Sequence, residues 1–351
     1  MEFLKGSEAG IPSASKLSWQ VGSDTDIGGG RENQDDYFIW ERPDEGVCIL
    51  GVLDGHGRDV GKLAAQTGKR FLSQYFEQNY GVISSDPLKY LAEALQQCHL
   101  EIKNAFRTEL TKNGFEVSES PEGYLMKRRL ASQQSWLCVH GGTSCTVTAL
   151  IGRVIYTANV GDSSAILCSS SSVLKPSQLV YVGDAANTEP SSGSMPILEG
   201  DRDTDMIVIT AEHSPESVAE YDRMLKFRKR ERDPRYPALH VVYDSPGQEK
   251  IKCPPCFDID ATGNPVLTNK GAYYKNVRKE WYVFFYIIAF QRCQLIEQIF
   301  IFIIALRASL VATPNTAQYQ DALAFTRSLG DLHLQTYGTY LFPIINSNMY
   351  R

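Results

Sequence analysis

The chain has 351 residues, a formal net charge of −6 and a hydrophobic share of 43%. That length holds one large domain or two ordinary ones, with ample apolar content for a core. The acidic balance leaves no whole-chain nucleic-acid footprint. The start, Met1-Glu2-Phe3-Leu4-Lys5-Gly6-Ser7-Glu8, has neither the basic region nor the long apolar core of a secretory signal, and Glu2 excludes the myristoylation pattern.

Residues 1–20 read as a flexible leader. Val47-Cys48-Ile49-Leu50-Gly51-Val52-Leu53 is an apolar run that predicts a buried strand. Residues 58–80 and 87–110 predict two helices, the second with Leu88, Leu91, Leu95, Cys98, Ile102 and Phe106 on one core-facing stripe. Two β-branched runs, 143–151 and 154–160, flank Gly152-Arg153 and predict a hairpin. Further strands are expected at 163–168, 178–182 and 205–209, with loops at Ser169–Ser172 and 184–200. Ser214-Pro215-Glu216 has helix-start chemistry, with Ser214 as N-cap, and predicts a helix to about Arg230. Its basic end, Lys226 to Arg230, reads as a solvated face, with phosphoprotein docking as the alternative. Strands interleaved with a helix pair suggest an α+β domain, sheets packed face to face with helices outside.

The eight cysteines are scattered, and Cys48, Cys145 and Cys168 fall in predicted strands. Reduced thiols in a cytoplasmic or nuclear protein fit that pattern better than a disulfide framework. Cys253-Pro254-Pro255-Cys256 lacks the second pair a zinc ribbon needs and reads as a loop.

The chemistry concentrates at strand ends. Asp35, Asp36, Asp54 and Asp162 are four carboxylates, and Asp54 and Asp162 each adjoin a glycine. Gathered together they would raise one another's pKa values, a conflict that a divalent cation removes. Any one of them alone reads as a turn cap. All-oxygen ligation points to Mg²⁺ or Mn²⁺ rather than zinc. Arg31 offers a planar fork for phosphate oxygens, and His56 can protonate a leaving alkoxide. This is equipment for phosphoester hydrolysis without a cysteine or serine nucleophile.

Six segments then occur in a telling order: Arg31-Glu32-Asn33-Gln34-Asp35-Asp36, Val52-Leu53-Asp54-Gly55-His56-Gly57, Gly141-Gly142-Thr143-Ser144, Asn159-Val160-Gly161-Asp162-Ser163, Thr210-Ala211-Glu212-His213-Ser214-Pro215 and Ala324-Phe325-Thr326-Arg327-Ser328-Leu329-Gly330-Asp331. With them the chain resembles the PPM-type (type 2C) metal-dependent serine/threonine protein phosphatases over residues 20 to 338. The resemblance implies a central β-sandwich of two antiparallel sheets flanked by helices, a domain over 21–338 and an atypical tail at 339–351. It implies a two-metal centre in which Asp54 bridges both ions and Gly55 binds through its carbonyl. Asp35 and Asp36 would hold the metals directly or through water, and Asp162 would serve an additional, weaker site. Arg31 would bind phosphate and His56 would act as general acid, with metal-bound water attacking phosphoserine or phosphothreonine. The partners so implied are phosphoprotein substrates of a monomer, with no nucleic acid and no membrane.

Departures accompany the resemblance. Glu212 and Ser164 stand where the family usually has Asp and Arg. The family's later Asp-Gly-(Leu/Ile/Val)-Trp-Asp and Asp-Asn motifs do not occur in these residues, so one metal is expected to lack two ligands and the sandwich to lack strands. Tyr282–Arg307 is an apolar insertion whose longest runs are too short to span a bilayer, and Arg292 and Glu297 lie between them. Joining Trp281 to Ala308 restores a family-like segment. The insertion shares a Phe/Ile/Tyr/Asn bias with residues 339–351, the pattern of translated non-coding sequence; a membrane segment and a loop elaboration are the alternatives. The readings carried forward are an active phosphatase, a catalytically impaired phosphatase-like binding protein, and a chain that the apolar insertion keeps from folding stably.

Overall fold

The computed structural model describes residues 19–27, 31–130, 135–152, 154–168, 179–182, 206–211, 213–227, 233–245, 248–270, 289–290, 309–339 and 344–349. Glu212, the loops at 169–172 and 184–200, Arg228 to Arg230 and all of the 282–307 insertion except Ala289–Phe290 lie outside them. The architecture is α+β, with antiparallel sheets flanked by helices.

The elements that build the site are β1 (Asp36–Arg42), β2 (Val47–Leu53), β3 (Gly55–His56), α1 (Gly61–Ile83), α2 (Pro87–Lys112), β4 (Gly142–Thr143), β5 (Cys145–Ile151), β6 (Val154–Val160), β7 (Leu179–Val182), α3 (Val218–Lys226), β8 (Leu329–Gly330), α4 (Leu332–Gln335) and β9 (Ile344–Met349). Six of them form one antiparallel sheet in the order β7-β9-β6-β5-β2-β1. The short strands β8, β4 and β3 form a second sheet beside the end of β2. The remaining sheets among the described residues have two or three strands.

Strand β2 shows why its sequence reads as a continuous apolar run. Val47, Ile49 and Leu53 point into one core with α1 and α2, while Cys48 and Leu50 point into another with Leu150, Ile155 and Ile209. A strand covered on both faces has no polar positions to alternate. Helix α1 presents Ala65, Leu72, Phe76 and Ile83 to that first core, and α2 adds Leu91, Leu95, Cys98, Ile102 and Phe106. The stripe expected on α2 is therefore its buried face, with Leu88 packed at the margin. The helices run slightly further than expected, to Ile83 and Lys112. A third cluster gathers Tyr221 and Met224 of α3 with Tyr243, Phe257, Val311, Phe325 and Leu334.

Two expectations change. Helix α3 starts at Val218, and its N-cap is Ser217, whose side chain accepts from the Glu220 N–H. Ser214 instead closes the preceding turn by accepting from the Glu216 N–H. Either serine offers the capping oxygen; the turn at 214–217 places Ser217 where the helix begins. The tail, read as atypical, contributes β9 inside the sheet, between β6 and β7, with six antiparallel pairs from Val154↔Met349 to Asn159↔Ile344. Backbone groups along β6 are thereby paired where they would otherwise form an open edge.

The carboxyl end of β2 is set by a glycine. Phe38 of β1 lies opposite Gly51, and a methyl group added there would fall inside the Phe38 ring. The ring itself rests on Phe76 of α1, with centroids 5.8 Å apart. We predict that Gly51→Ala destabilises the fold by about 1–3 kcal/mol through overpacking. Adding Phe38→Leu should recover part of the loss in a double-mutant cycle of urea denaturation. Strict additivity of the two changes would contradict this packing.

Candidate active site

Strand β2 delivers Asp54 to the edge of the small sheet, where its backbone is fixed on both sides. Its carbonyl accepts from the Ser144 N–H at 2.9 Å, and its N–H donates to the Ser144 hydroxyl at 3.3 Å. Ser144 in turn meets Ser163, Oγ to Oγ at 2.6 Å, so the segments carrying Asp54 and Asp162 are tied together. Directly after Asp54, Gly55 and His56 pair with Thr143 and Gly142. The chain then turns at Gly57 with φ +100°, and a Cβ there would come within 2.5 Å of the Gly141 Cα. Only glycine allows that approach.

Three of the four aspartates share this place. Asp54 is pushed up to about 7 by the loss of hydration among the protein atoms packed around it and by the negative charges of Asp35 and Asp162, and it shares a hydrogen bond with Asp35. The Asp35 carboxyl is also raised, chiefly by its surroundings. Asp54, Asp35 and Asp162 all reach solvent. Asp36 stands apart: its carboxylate takes the Lys69 ammonium of α1 at 2.7 Å. Strand alternation explains the split, since neighbouring residues point to opposite faces. Arg31 is exposed on the approach to β1.

Gln34 is a contributor that the motif reading passed over. With its amide nitrogen turned toward the glycines, it donates to the carbonyls of Gly55 and Gly57, each at 3.1 Å. The Gly55 carbonyl is thus held in place from within the chain.

His56 binds Asp331 through Nε2 at 2.7 Å, across 275 residues of sequence. Burial alone would lower its pKa, but the Asp331 carboxylate outweighs that and holds the imidazole above its usual value. Phe325 packs edge-on against the ring at 5.1 Å. Asp331 ends the last of the six sequence segments, and the glycine beside it, as beside Asp54 and Asp162, is the signal that marks it.

A buried polar network supports the site from behind. The His213 ring accepts from the Gly161 N–H through Nδ1 at 3.1 Å, fixing the turn before Asp162. The His213 carbonyl accepts from the Thr326 N–H at 2.9 Å. Next to Thr326, Arg327 donates to Glu220 of α3 at 2.6, 3.1 and 3.2 Å, with both side chains buried. Burial would raise the Glu220 pKa, yet Arg327 and Arg223 hold it well below the usual carboxylate range.

The donor chemistry at Asp54 and Asp35 fits a hard divalent cation, which would relieve the like-charge conflict that raises Asp54. Among the described residues, however, no group of three or more His, Cys, Asp or Glu side chains is arranged to hold a metal ion.

Comparison with known proteins adds four findings. Residues 53–181 match the family model described as Protein phosphatase 2C. A Protein kinase and PP2C-like domain-containing protein of Arabidopsis thaliana is 29% identical over 143 residues, 40% of this chain but only 18% of that protein's length. The crystal structure of serine-threonine phosphatase 2C from Toxoplasma gondii superposes with a TM-score of 0.48 at 12% identity, over 96% of this chain and 76% of that one. A serine/threonine phosphatase from Staphylococcus aureus gives 0.28 at 18% identity, over 48% and 55%.

Two predictions concern the supporting network. Glu220→Gln leaves Arg327 buried without its counter-charge and should cost about 3–5 kcal/mol in urea denaturation. The second concerns acid. Burial lowers His213 to about 3 and His99 and His333 to about 4, from an ordinary value of 6.5. In each case the unfolded chain takes up a proton that the folded state refuses, so stability falls as pH drops from 6.5 toward those values. Among the described residues neither ring nitrogen of buried His333 has a hydrogen-bond partner, and Tyr124, Tyr319 and Tyr337 pack around it. His333→Phe should therefore flatten the acid limb of a stability–pH profile with little loss at neutral pH. An unchanged slope would show that His333 does not contribute.

Proposed function

We propose that this chain, which carries a protein phosphatase 2C-family domain over part of its length, hydrolyses phosphoserine and phosphothreonine on proteins with the help of Mg²⁺ or Mn²⁺. The observation that carries the reading is the meeting of Asp54, Asp35, Asp162 and His56 at the ends of strands far apart in sequence. A bound divalent cation supplies charge for the phosphoryl oxygens and makes water acidic enough to attack. Asp54, with Asp35 and the Gly55 carbonyl beside it, is the place that would hold such an ion. Asp162 faces the same cleft and is assigned to an additional cation. Asp36, occupied by Lys69, serves to fix β1 against α1.

The chain's own residues handle the substrate. Arg31, exposed and always charged, is assigned to the phosphate oxygens, which its planar fork matches. His56 is assigned to the leaving serine or threonine oxygen, which departs poorly as an alkoxide and needs a proton. The raised pKa of His56 supports this role, because the Asp331 carboxylate beside the ring favours its protonated form. Six described cysteines, all buried and free, support a reducing compartment, the cytoplasm or nucleus. No helix among the described residues is long and apolar enough to cross a membrane.

A second reading is a catalytically impaired phosphatase-like protein that binds phosphoproteins. The observation favouring it is that no group of three metal-binding side chains is assembled among the described residues.

Leaving-group chemistry separates the readings. The active chain should hydrolyse both p-nitrophenyl phosphate and a phosphothreonine peptide with Mn²⁺, lose both activities with EDTA, and lose both in Asp54→Asn. His56→Ala should slow the peptide by about 10²–10⁴-fold. It should slow p-nitrophenyl phosphate far less, since p-nitrophenolate leaves without a proton. No turnover at any Mn²⁺ concentration, with phosphopeptide binding retained, would establish the impaired reading instead.

A further inference from the structure

Asp331 occupies the N-cap position of α4, where an aspartate ordinarily accepts from the first backbone N–H groups of a helix. Here its side chain makes no capping hydrogen bond. The carboxylate is directed instead to His56 Nε2 at 2.7 Å, and it is almost fully buried, at 3% exposure. Its backbone lies at φ +44°, in the left-handed region. A non-glycine residue is held there under strain, and such strain gathers where geometry serves function. The Asp331 N–H donates to the Gly141 carbonyl at 3.0 Å and maintains that conformation. Gly142 leaves the carboxylate its space, because a Cβ at 142 would come within 2.5 Å of Oδ2. A capping position, a strained backbone and a missing side chain on the neighbouring strand all serve one contact.

The other nitrogen of His56 completes the picture. Nδ1 is buried and has no hydrogen-bond partner among the described residues. A ring with one nitrogen engaged by a fixed carboxylate and the other bare has a defined orientation and a defined tautomer.

We infer that Asp331 is the positioning residue of His56: it binds Nε2–H, fixes the orientation of the ring and sets its tautomer, leaving Nδ1 as the nitrogen that the described residues do not engage. The inference rests on the assignment of His56 as proton donor. It adds a residue that neither touches the phosphate nor binds an ion.

The test reads the ring directly by ¹⁵N–¹H correlation of the imidazoles, with the His56 signal assigned by its loss in His56→Gln. Wild type is expected to show a downfield, exchange-protected proton on Nε2. Asp331→Leu should abolish it. Asp331→Asn, which keeps the shape and an acceptor oxygen, should move it upfield while the protein still melts cooperatively. In the same Asn variant, turnover of the phosphothreonine peptide should fall at least about tenfold through kcat, with p-nitrophenyl phosphate largely spared. If Asp331→Leu does not fold, the Asn variant decides alone. A His56 resonance unchanged by folded Asp331 variants, or equal losses on both substrates, would overturn the inference. A wild type with the protected Nε2 proton but no phosphatase activity would uphold the contact and remove the functional reading beneath it.

Discussion

The buried pair of Glu220 and Arg327 is the constraint on which the site hangs. Arg327 places three hydrogen bonds on one carboxylate, and Glu220 also receives the Arg223 guanidinium and the Thr326 hydroxyl. Two charges out of water are costly unless nearly every lone pair and proton is used, and here the carboxylate is close to saturated. The value of such a pair lies in the one arrangement it permits. It pins α3 to the segment from Phe325 to Asp331, and that segment reaches His56 directly and Asp162 by way of His213. Thr326 binds the backbone of His213, whose ring holds Gly161 before Asp162. Phe325 backs the His56 ring, and Asp331 binds it.

From this follows a division of labour among the acids. Glu220 is buried, paired and held ionised, so it is structural. Asp54 and Asp35 reach solvent and share a hydrogen bond, and the charges of Asp35 and Asp162 on Asp54 are opposed by His56. Asp36 has its cation in Lys69. One residue along a strand reverses the face, and with it the environment, of a chemically identical side chain. The local run Arg31 to Asp36 therefore carried two candidates, and only the strand's setting in the sheet separates them.

Much of the fold was legible because it is local. The doubly buried run Val47–Leu53, the apolar stripe of α2 and the hairpin around Gly152, with φ +61°, are each encoded within a few residues. What was not legible depends on partners distant in sequence. Ser214 and Ser217 offer the same capping oxygen, and the turn between them decides which caps. Gln34 looks like a polar residue between more interesting neighbours until the Gly55–Gly57 turn is folded against it. Residues 344–349 have no strong strand signature in isolation, but β6 offers them an unpaired edge.

The pairing of His56 with Asp331 shows why motif reading finds a site sooner than it explains one. Each motif contains glycines, and read singly they signal turns. Folded together, they become clearance. Gly57 and Gly141 let two backbones meet, and Gly142 leaves room for the Asp331 carboxylate that has given up its capping duty to reach the imidazole. The two glycine-bearing segments, 55–57 and 141–142, are needed at once because β3 and β4 lie side by side, with β8 on the other side of β4. A histidine on a two-residue strand takes its orientation from neighbours: Phe325 packs against the ring, and Asp331, arriving over Gly142, fixes which way it turns.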